Sequence, residues 1–297
     1  MGYKIPAARD PFKQNKMRFY FKFSMIAFAV VIGVAVVSLI TKTRQDRIDY
    51  SKSDFVQYQA PDDSASVVVF ETTEGTFKAV LYDEEAPHYC KYFKDLVESG
   101  YFNDTYVCTI LRSGEYTGGF ITGSKTADGL ANDDTNTEMV KLEISPNLLP
   151  TTGALGSLVS QGGTFSSPKA GSVFAVFADV VNVEEMRAAE AEDVNGYSRV
   201  CGIFEKYGGV PNYLQTYTLF GQVYDGWDTI EKINSVRIVD ENVPDDDKDK
   251  SYQPEREIKI TKAYLSTYGE QKQNGFTIPL KEQTPKDASS AADDSSK

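Results

Sequence analysis

A strand followed directly by a helix, in the last third of the chain, constrains the fold more than any other segment. It covers residues 217–233 and reads YTLFGQVYDGWDTIEKI. Its first seven residues are mostly aromatic, β-branched or apolar, and Asp225-Gly226 is a pair typical of turns. The residues after the turn place apolar side chains at helical spacing. We therefore expect a buried strand that turns at once into an amphipathic helix.

Short strands and helices are also predicted on both sides of this segment. Gly75 lies between two β-rich runs and predicts a hairpin. Pro87 favours the first turn of a helix, and Gly100 is expected to follow its end. The predicted strands cover residues 66–70, 76–82, 106–111, 119–122, 171–179 and 255–265, and a helix-like stretch covers residues 183–194.

An uncharged run near the N-terminus predicts a transmembrane helix. Residues 23–41, FSMIAFAVVIGVAVVSLIT, lie between Lys22 and Lys42. A helix of this length spans roughly 30 Å, which is the thickness of the hydrocarbon core. The alternative is a cleaved signal peptide, whose apolar part is usually about 7 to 15 residues long and ends at a small-x-small site. The run is longer and lacks that site, so we favour an uncleaved signal-anchor.

The charges around this run predict its orientation. Six basic residues and one acidic residue precede it, whereas the basic residues that follow are diluted by acidic ones. The positive-inside rule then places the N-terminus in the cytoplasm and the rest outside, as a single-pass protein of the cell membrane. Residues 43–297 hold 24 basic and 42 acidic residues, a net charge of −18. Such an acidic domain is not expected to bind nucleic acid.

The few cysteine and histidine residues argue against a metal site or a cofactor. Cys90, Cys108 and Cys201 have no C-x-x-C spacing, and His88 is the single histidine. We expect His88 to be exposed and Cys108 to be a buried small side chain. An odd number of cysteines leaves at least one unpaired within the chain. One disulfide remains possible, and the sequence does not select its pair.

Composition also predicts the domain limits. Residues 1–22 form a basic tail and residues 42–64 a polar stalk, and the folded domain is expected at residues 65–268. Residues 269–297 contain too few apolar side chains to order themselves, so we expect a disordered tail. The acidic residues 240–250 are expected to form a solvated loop rather than a calcium site, because they lack the alternating EF-hand ligands.

The order of these segments resembles the cyclophilins, which isomerise prolyl peptide bonds. The stretches ETTEGTFKAVLYDEEAP, FKDLVESGYFNDTY, YTGGF, GSVFAVF and YTLFGQV carry the resemblance, from about residue 67 to residue 265. It implies a mainly β fold, a closed eight-stranded antiparallel barrel capped by two helices. It also implies a proline pocket on the outside of the sheet, proline-containing or unfolded polypeptides as partners, and no cofactor.

The resemblance places substituted residues at the family's catalytic positions. The family's Phe-His-Arg falls on Tyr106, Val107 and Cys108, so the arginine that donates to the prolyl nitrogen is replaced by Cys108. Arg112 lies on the same strand face but roughly 13 Å further along. The family's two glutamines, pocket-floor phenylalanine and pocket histidine fall on Thr117, Val173, Ala175 and Tyr217, and its Trp-Leu-Asp-Gly segment falls on residues 212–215, which include Tyr213.

Two functions follow from this mixture of family motifs and substituted positions. The first is a membrane-tethered foldase whose isomerase activity is weak, because losing one preorganised donor typically costs about 10² to 10³ in rate. The second is a catalytically inactive chaperone or partner-binding module. The segment 178–216 is longer than in the family. It is either a lid or partner-binding element or a neutral surface insertion, and we favour the insertion because loops lengthen at small cost.

Overall fold

Eight antiparallel strands close into a barrel. The computed structural model of the chain describes residues 48–113, 116–129, 139–160, 168–179, 194–239 and 252–281. The strands are β1 Ser66–Thr72, β2 Gly75–Leu81, β3 Thr105–Ser113, β4 Tyr116–Ser124, β5 Val140–Lys141, β6 Ala154–Ser160, β7 Lys169–Phe177, β8 Leu219–Asp225 and β9 Lys259–Thr267.

The pairing of the strands confirms the predicted barrel. Their order is β4-β3-β9-β1-β2-β8-β6-β7, and a further antiparallel pairing between β7 and β4 closes the ring. The two-residue strand β5 adds to the outer end of β7. The predicted hairpin is β1 and β2, in register with Phe70 opposite Phe77.

Among the described residues, four α-helices accompany the barrel: α1 Pro87–Glu98, α2 Tyr197–Tyr207, α3 Trp227–Asn234 and α4 Tyr268–Gln271. Helices α1 and α3 bury their apolar faces in the barrel core, as expected of the two capping helices. Gly226 precedes α3 with φ +86°, and a Cβ atom there would collide with the carbonyl oxygen of Thr76. Glycine is therefore required at the turn that residues 217–233 predict.

Phenylalanine rings fill the barrel interior. Phe93 of α1 lies 4.8 Å from Phe220 of β8 and 5.5 Å from Phe174 of β7, measured between ring centroids. Phe70 and Phe102 also contact Phe174. These rings are fully buried, and burying each contributes about 1.5–3 kcal/mol. The barrel is thus held mainly by apolar packing of residues that alternate along its strands.

The last strand differs slightly from its prediction. Strand β9 begins at Lys259 rather than at residue 255 and ends at Thr267. The amide of Glu255 donates to the carbonyl oxygen of Arg237, and the Arg256 guanidinium pairs with Glu74. These partners engage residues 255 and 256 before the chain joins the sheet.

Residues 48–64 pack against the domain, whereas the sequence predicted a stalk over residues 42–64. Two 3₁₀ turns, Tyr50–Lys52 and Val56–Tyr58, lie in this segment. The side chains of Tyr50 and Gln57 are 2% and 0% exposed. The segment is polar on average, and for this reason its composition predicted a stalk. Its apolar residues nevertheless provide a surface that contacts the domain. We call residues 48–59 the N-terminal strap.

Residues 269–281 also pack against the domain, beyond the predicted end at residue 268. Phe276 stacks on Tyr224 with ring centroids 5.7 Å apart, and Trp227 Nε1 donates to the carbonyl oxygen of Thr277 at 2.8 Å. The single aromatic residue of this segment anchors it. The predicted tail beyond residue 281 lies outside the described residues.

Several other predicted elements fall outside the described residues as well. They are the basic tail, the membrane segment 23–41, the acidic loop 240–250 and nearly all of the helix-like stretch 183–194. Within the ranges that the structure describes, no helix has the length and hydrophobicity that crossing a membrane requires.

Candidate functional site

The outer face of the barrel carries most of the predicted site positions. Along β7, Phe174 and Val176 point into the barrel core, whereas Ala175 and Phe177 belong to a separate cluster outside it. Successive side chains of a strand alternate between faces, so Val173 shares the outer face with these two residues. The neighbouring strands β4 and β6 pair with β7 and extend this face on both sides.

A cleft of about 370 Å³ opens on this face, and it includes two of the predicted positions, Cys108 and Val173. Asp128 is the charged residue of its described lining, which contains no arginine, lysine, glutamine or histidine. The described lining therefore offers no positive charge to bind an anion. Its lining residues are Cys108, Thr109, Ile121, Asp128, Gly129, Met139, Leu158, Val159, Gly171 and Val173.

The thiol of Cys108 is buried in the wall of this cleft. The residue is 4% exposed, and its Sγ lies 3.6 Å from the carbonyl oxygen of Ile121. Burial raises the pKa of this thiol above its usual value. A Cβ atom on Gly129, which has φ +72°, would lie 3.2 Å from Sγ, so the backbone of the neighbouring loop covers the thiol closely. Cys108 is a neutral, buried side chain, as expected from the sequence.

Three aromatic rings form a second part of the site beside Ala175. Tyr213 and Tyr217 lie 5.1 Å apart, and both contact Phe177, at 5.8 Å and 6.2 Å between ring centroids. Ala175 is 1% exposed in the same cluster. Burial raises the pKa of Tyr217 to about 12, so its hydroxyl is neutral at physiological pH. We call Phe177, Tyr213 and Tyr217 the aromatic group.

Comparison with protein families decides which family this chain belongs to. The family model described as cyclophilin type peptidyl-prolyl cis-trans isomerase/CLD matches residues 67–265. The chain belongs to the cyclophilin family. The matched range coincides with the barrel from β1 to β9, so the strap and the last described residues lie outside it.

Individual cyclophilins match this chain over shorter stretches. Peptidyl-prolyl cis-trans isomerase-like 1 of Aspergillus niger is 32% identical over 100 residues, and that of Neurospora crassa is 34% identical over 98 residues. Each alignment covers 33% of this chain and 58% of the relative. A solved Cryptosporidium parvum cyclophilin, in the presence of the dipeptide Ala-Pro, has a TM-score of 0.48 and 20% identity, covering 68% of this chain and 99% of its own.

Of the positions that the cyclophilin resemblance placed near the substrate, Tyr106 is not among the described residues that line the cleft or form the aromatic group. The ring of Tyr106 lies under Lys259 Nζ, 4.5 Å from its centroid, at the junction of β3 and β9. Thr117 pairs with Arg112 in the β3–β4 ladder. The side chains of both members of that pair lie outside the described part of the chain, so their roles stay predictions.

Other site residues were not identified from the sequence. Phe177 was detectable, because it follows Val173 and Ala175 at the two-residue period of a strand face. Leu158, Asp128 and Gly129 reach the cleft through tertiary packing and carry no local signal.

His88 has a structural partner rather than a place in this site. Its side chain is 81% exposed, and Nδ1 lies 2.6 Å from Glu143 Oε1. The same carboxylate accepts from the amide of Tyr89 at 2.8 Å and so caps the N-terminus of α1. Cys90 and Cys201 are buried, like Cys108. Among the described residues, no three His, Cys, Asp or Glu side chains are grouped as metal ligands.

Proposed function

We propose that this cyclophilin is a membrane-tethered, extracytoplasmic foldase that binds proline-containing or unfolded polypeptides and isomerises prolyl bonds weakly. The observation that carries the proposal is the cleft beside the aromatic group, on the outer sheet face where the family resemblance implies the proline pocket. A pocket lined by apolar side chains with a few polar groups is typical of a small-ligand or peptide-residue site.

The weakness of the expected activity follows from the cleft's chemistry. The barrier to prolyl rotation arises from amide resonance, and a donor to the prolyl nitrogen lowers it. The described lining offers the Cys108 thiol and the Thr109 hydroxyl as donors, and neither carries positive charge. We expect a rate about 10² to 10³ below that of an arginine-containing site.

A second candidate is a catalytically inactive chaperone or partner-binding module. The described lining of the cleft favours it, because that lining contains no positively charged donor to the prolyl nitrogen and the Cys108 thiol is buried. Such a protein binds the same segments and leaves their isomerisation rate unchanged.

A prolyl isomerase assay distinguishes the two candidates. The full chain, purified in mild detergent, is tested against a panel of X-Pro peptides, together with Cys108→Arg and the matched Cys108→Ala variant. Slow turnover by the wild type, faster in Cys108→Arg and unchanged in Cys108→Ala, supports the foldase. Peptide binding without wild-type turnover supports the binding module. Absence of both binding and turnover refutes both candidates.

The membrane orientation needs a separate experiment. All three native cysteines are buried, so they contribute little labelling in the native protein. Glu98 at the end of α1 is exposed, and Glu98→Cys provides a surface thiol. A membrane-impermeant maleimide should label this variant on intact cells. Labelling that occurs only after lysis would refute the extracytoplasmic position.

A further inference from the structure

A tight turn separates the two tyrosines of the aromatic group. The amide of Thr216 donates to the carbonyl oxygen of Tyr213 at 3.0 Å. Leu214 has φ −53° and ψ 126°, and Gln215 has φ +58°. These are the angles of a type II turn, whose third residue is normally glycine or asparagine. Gln215 thus adopts a backbone conformation that its side chain disfavours.

The strap supplies a hydrogen bond that compensates for this conformation. Gln215 is 6% exposed, and its Nε2 donates to the hydroxyl oxygen of Tyr50 at 2.7 Å. Its Oε1 has no hydrogen-bond partner among the described residues. The contact with Tyr50 is therefore the described hydrogen bond that holds this side chain, and both groups are shielded from water.

The turn connects the strap with the aromatic group because its side chains point in two directions. Leu214 packs in one cluster with Tyr50 and Phe55 of the strap. Tyr213 and Tyr217 pack in the other cluster, against Phe177. A change in the backbone at Gln215 would move both tyrosine rings relative to Phe177.

Tyr50 is itself held firmly by helix α2. The Arg199 guanidinium donates to the carbonyl oxygens of Tyr50 and Ser51 at 2.7 Å each, and to that of Ser53 at 3.0 Å. It also lies over the ring of Phe55, 5.2 Å from its centroid. The planar guanidinium fork fixes three carbonyl groups of the strap, so the Tyr50 hydroxyl has a defined position.

We infer that Tyr50 and Gln215 are positioning residues of the candidate proline-binding site. Their hydrogen bond holds the type II turn, and the turn places the rings of Tyr213 and Tyr217 on Phe177. This inference rests on the proposed function for its consequence in peptide binding. The family resemblance puts a glycine at position 215, so the chain replaces a permissive residue by a strained one that the strap supports.

The experiment uses the full chain in mild detergent and four variants. Tyr50→Phe removes the hydroxyl and keeps the ring, and Gln215→Gly removes both the strain and the hydrogen bond. The double variant combines them. Tyr58→Phe is the matched control, because it removes a strap hydroxyl that bonds Thr151 Oγ1 at 2.9 Å instead of the turn. The readouts are amide hydrogen exchange of residues 211–217 without peptide, and the Kd of a labelled Ala-Ala-Pro-Phe peptide.

We expect Tyr50→Phe to accelerate exchange in residues 211–217 and to weaken peptide binding, each about 3- to 10-fold, as the loss of one hydrogen bond predicts. In the Gln215→Gly background, Tyr50→Phe should alter the exchange rate and the peptide Kd by less than about twofold, because glycine adopts this backbone conformation without support. Tyr58→Phe should leave residues 211–217 as in the wild type.

Two results would overturn the role of Tyr50 in holding the turn. One is wild-type exchange in residues 211–217 of Tyr50→Phe, and the other is an equal effect of Tyr50→Phe in both backgrounds. If the wild type binds no peptide, the proposed function fails, and the exchange data still decide whether Tyr50 holds the turn. Peptide binding that persists unchanged while exchange accelerates would refute the link between turn and site.

Discussion

The barrel interior and the layer outside it depend on directed hydrogen bonds to different degrees. The interior is a cluster of phenylalanine rings in mutual contact. The strap and residues 194–217, which we call the accessory layer, share a smaller apolar cluster and in addition depend on directed bonds from single side chains such as Arg199, Gln57 and Gln215. Apolar packing is non-directional and shared among many atoms, whereas a buried hydrogen bond fails when one partner is removed. The two regions should therefore respond differently to substitution.

The largest effect is expected in the interior. Phe174 is fully buried and contacts four other phenylalanine rings. Phe174→Ala should lower the free energy of unfolding by about 3–5 kcal/mol, because it removes apolar contacts and leaves a cavity. Chemical denaturation of the full chain measures it. Phe276→Ala, outside the barrel, is the control, and an equal loss in both variants would contradict the proposed difference.

Gln57→Ala tests the accessory layer and should cost about 2–3 kcal/mol. Gln57 is 0% exposed, its Nε2 donates to the Leu149 carbonyl oxygen at 2.9 Å, and its Oε1 accepts from the Leu149 amide at 2.5 Å. Removing it leaves the Leu149 amide and the buried Gln222 Oε1 without their described partner, whereas the Leu149 carbonyl oxygen still accepts from the Thr151 amide. Hydrogen exchange should accelerate in the strap and residues 147–151 but not in the barrel strands. The exposed neighbour Gln59→Ala should have little effect, and faster exchange throughout the barrel would show that the two regions unfold together.

Alkaline pH provides a third test, because burial raises the pKa of Tyr50 to about 12. The tyrosine of the unfolded chain ionises near pH 10. Between these values the unfolded state loses its proton first, so stability falls as the pH rises from about 10 towards 12. Between pH 9 and pH 11, Tyr50→Phe should lose about 1 kcal/mol less than the wild type. The exposed Tyr252→Phe is the control, and identical losses in all three proteins would contradict a buried neutral hydroxyl.

The smallest expected effect is an increase in stability. Gly202 lies within α2, and a Cβ atom there would have no neighbour within 4 Å in the described structure. Gly202→Ala should stabilise the accessory layer by about 0.5–1 kcal/mol, since glycine weakens a helix interior. Gly208→Ala should instead destabilise it, because Gly208 has φ +68° and its Cβ would lie 2.6 Å from Asp179 Cγ. Thermal unfolding compares the two, and destabilisation by Gly202→Ala would mean that this helix face is not free.

The sequence predicted the barrel well and the accessory layer poorly, for a physical reason. Strands, turns and capping helices of the barrel leave local marks, such as the Asp225-Gly226 turn and the apolar run of β7. The accessory layer depends on pairs distant in sequence: Gln57 and Leu149 are 92 residues apart, and Tyr50 and Gln215 are 165 apart. Contacts between residues so far apart leave no periodic pattern in the local sequence. The strap was therefore predicted to be part of a stalk.

The candidate site was predicted less completely than the barrel but more completely than the accessory layer. Motif spacing places Cys108 on β3 and Val173 on β7, the two strands that flank β4, and the cleft contains both, while their role in binding stays a prediction. Tyr213 and Tyr217 were also found, but the turn that orients them depends on the strap. The Tyr106 ring lies beneath Lys259, on the β9 side of the barrel, and its expected place near the substrate stays a prediction.

The pairing of β4 with β7 affects whether the protein can aggregate with its proposed polypeptide clients. An open sheet exposes a row of unpaired amide and carbonyl groups that recruits any extended chain as an additional strand. In the ring of eight described strands both sides of the sheet are joined, and the two-residue β5 is too short to act as a template. Unfolded polypeptides can therefore meet this surface through their side chains without being drawn into co-aggregation with the protein.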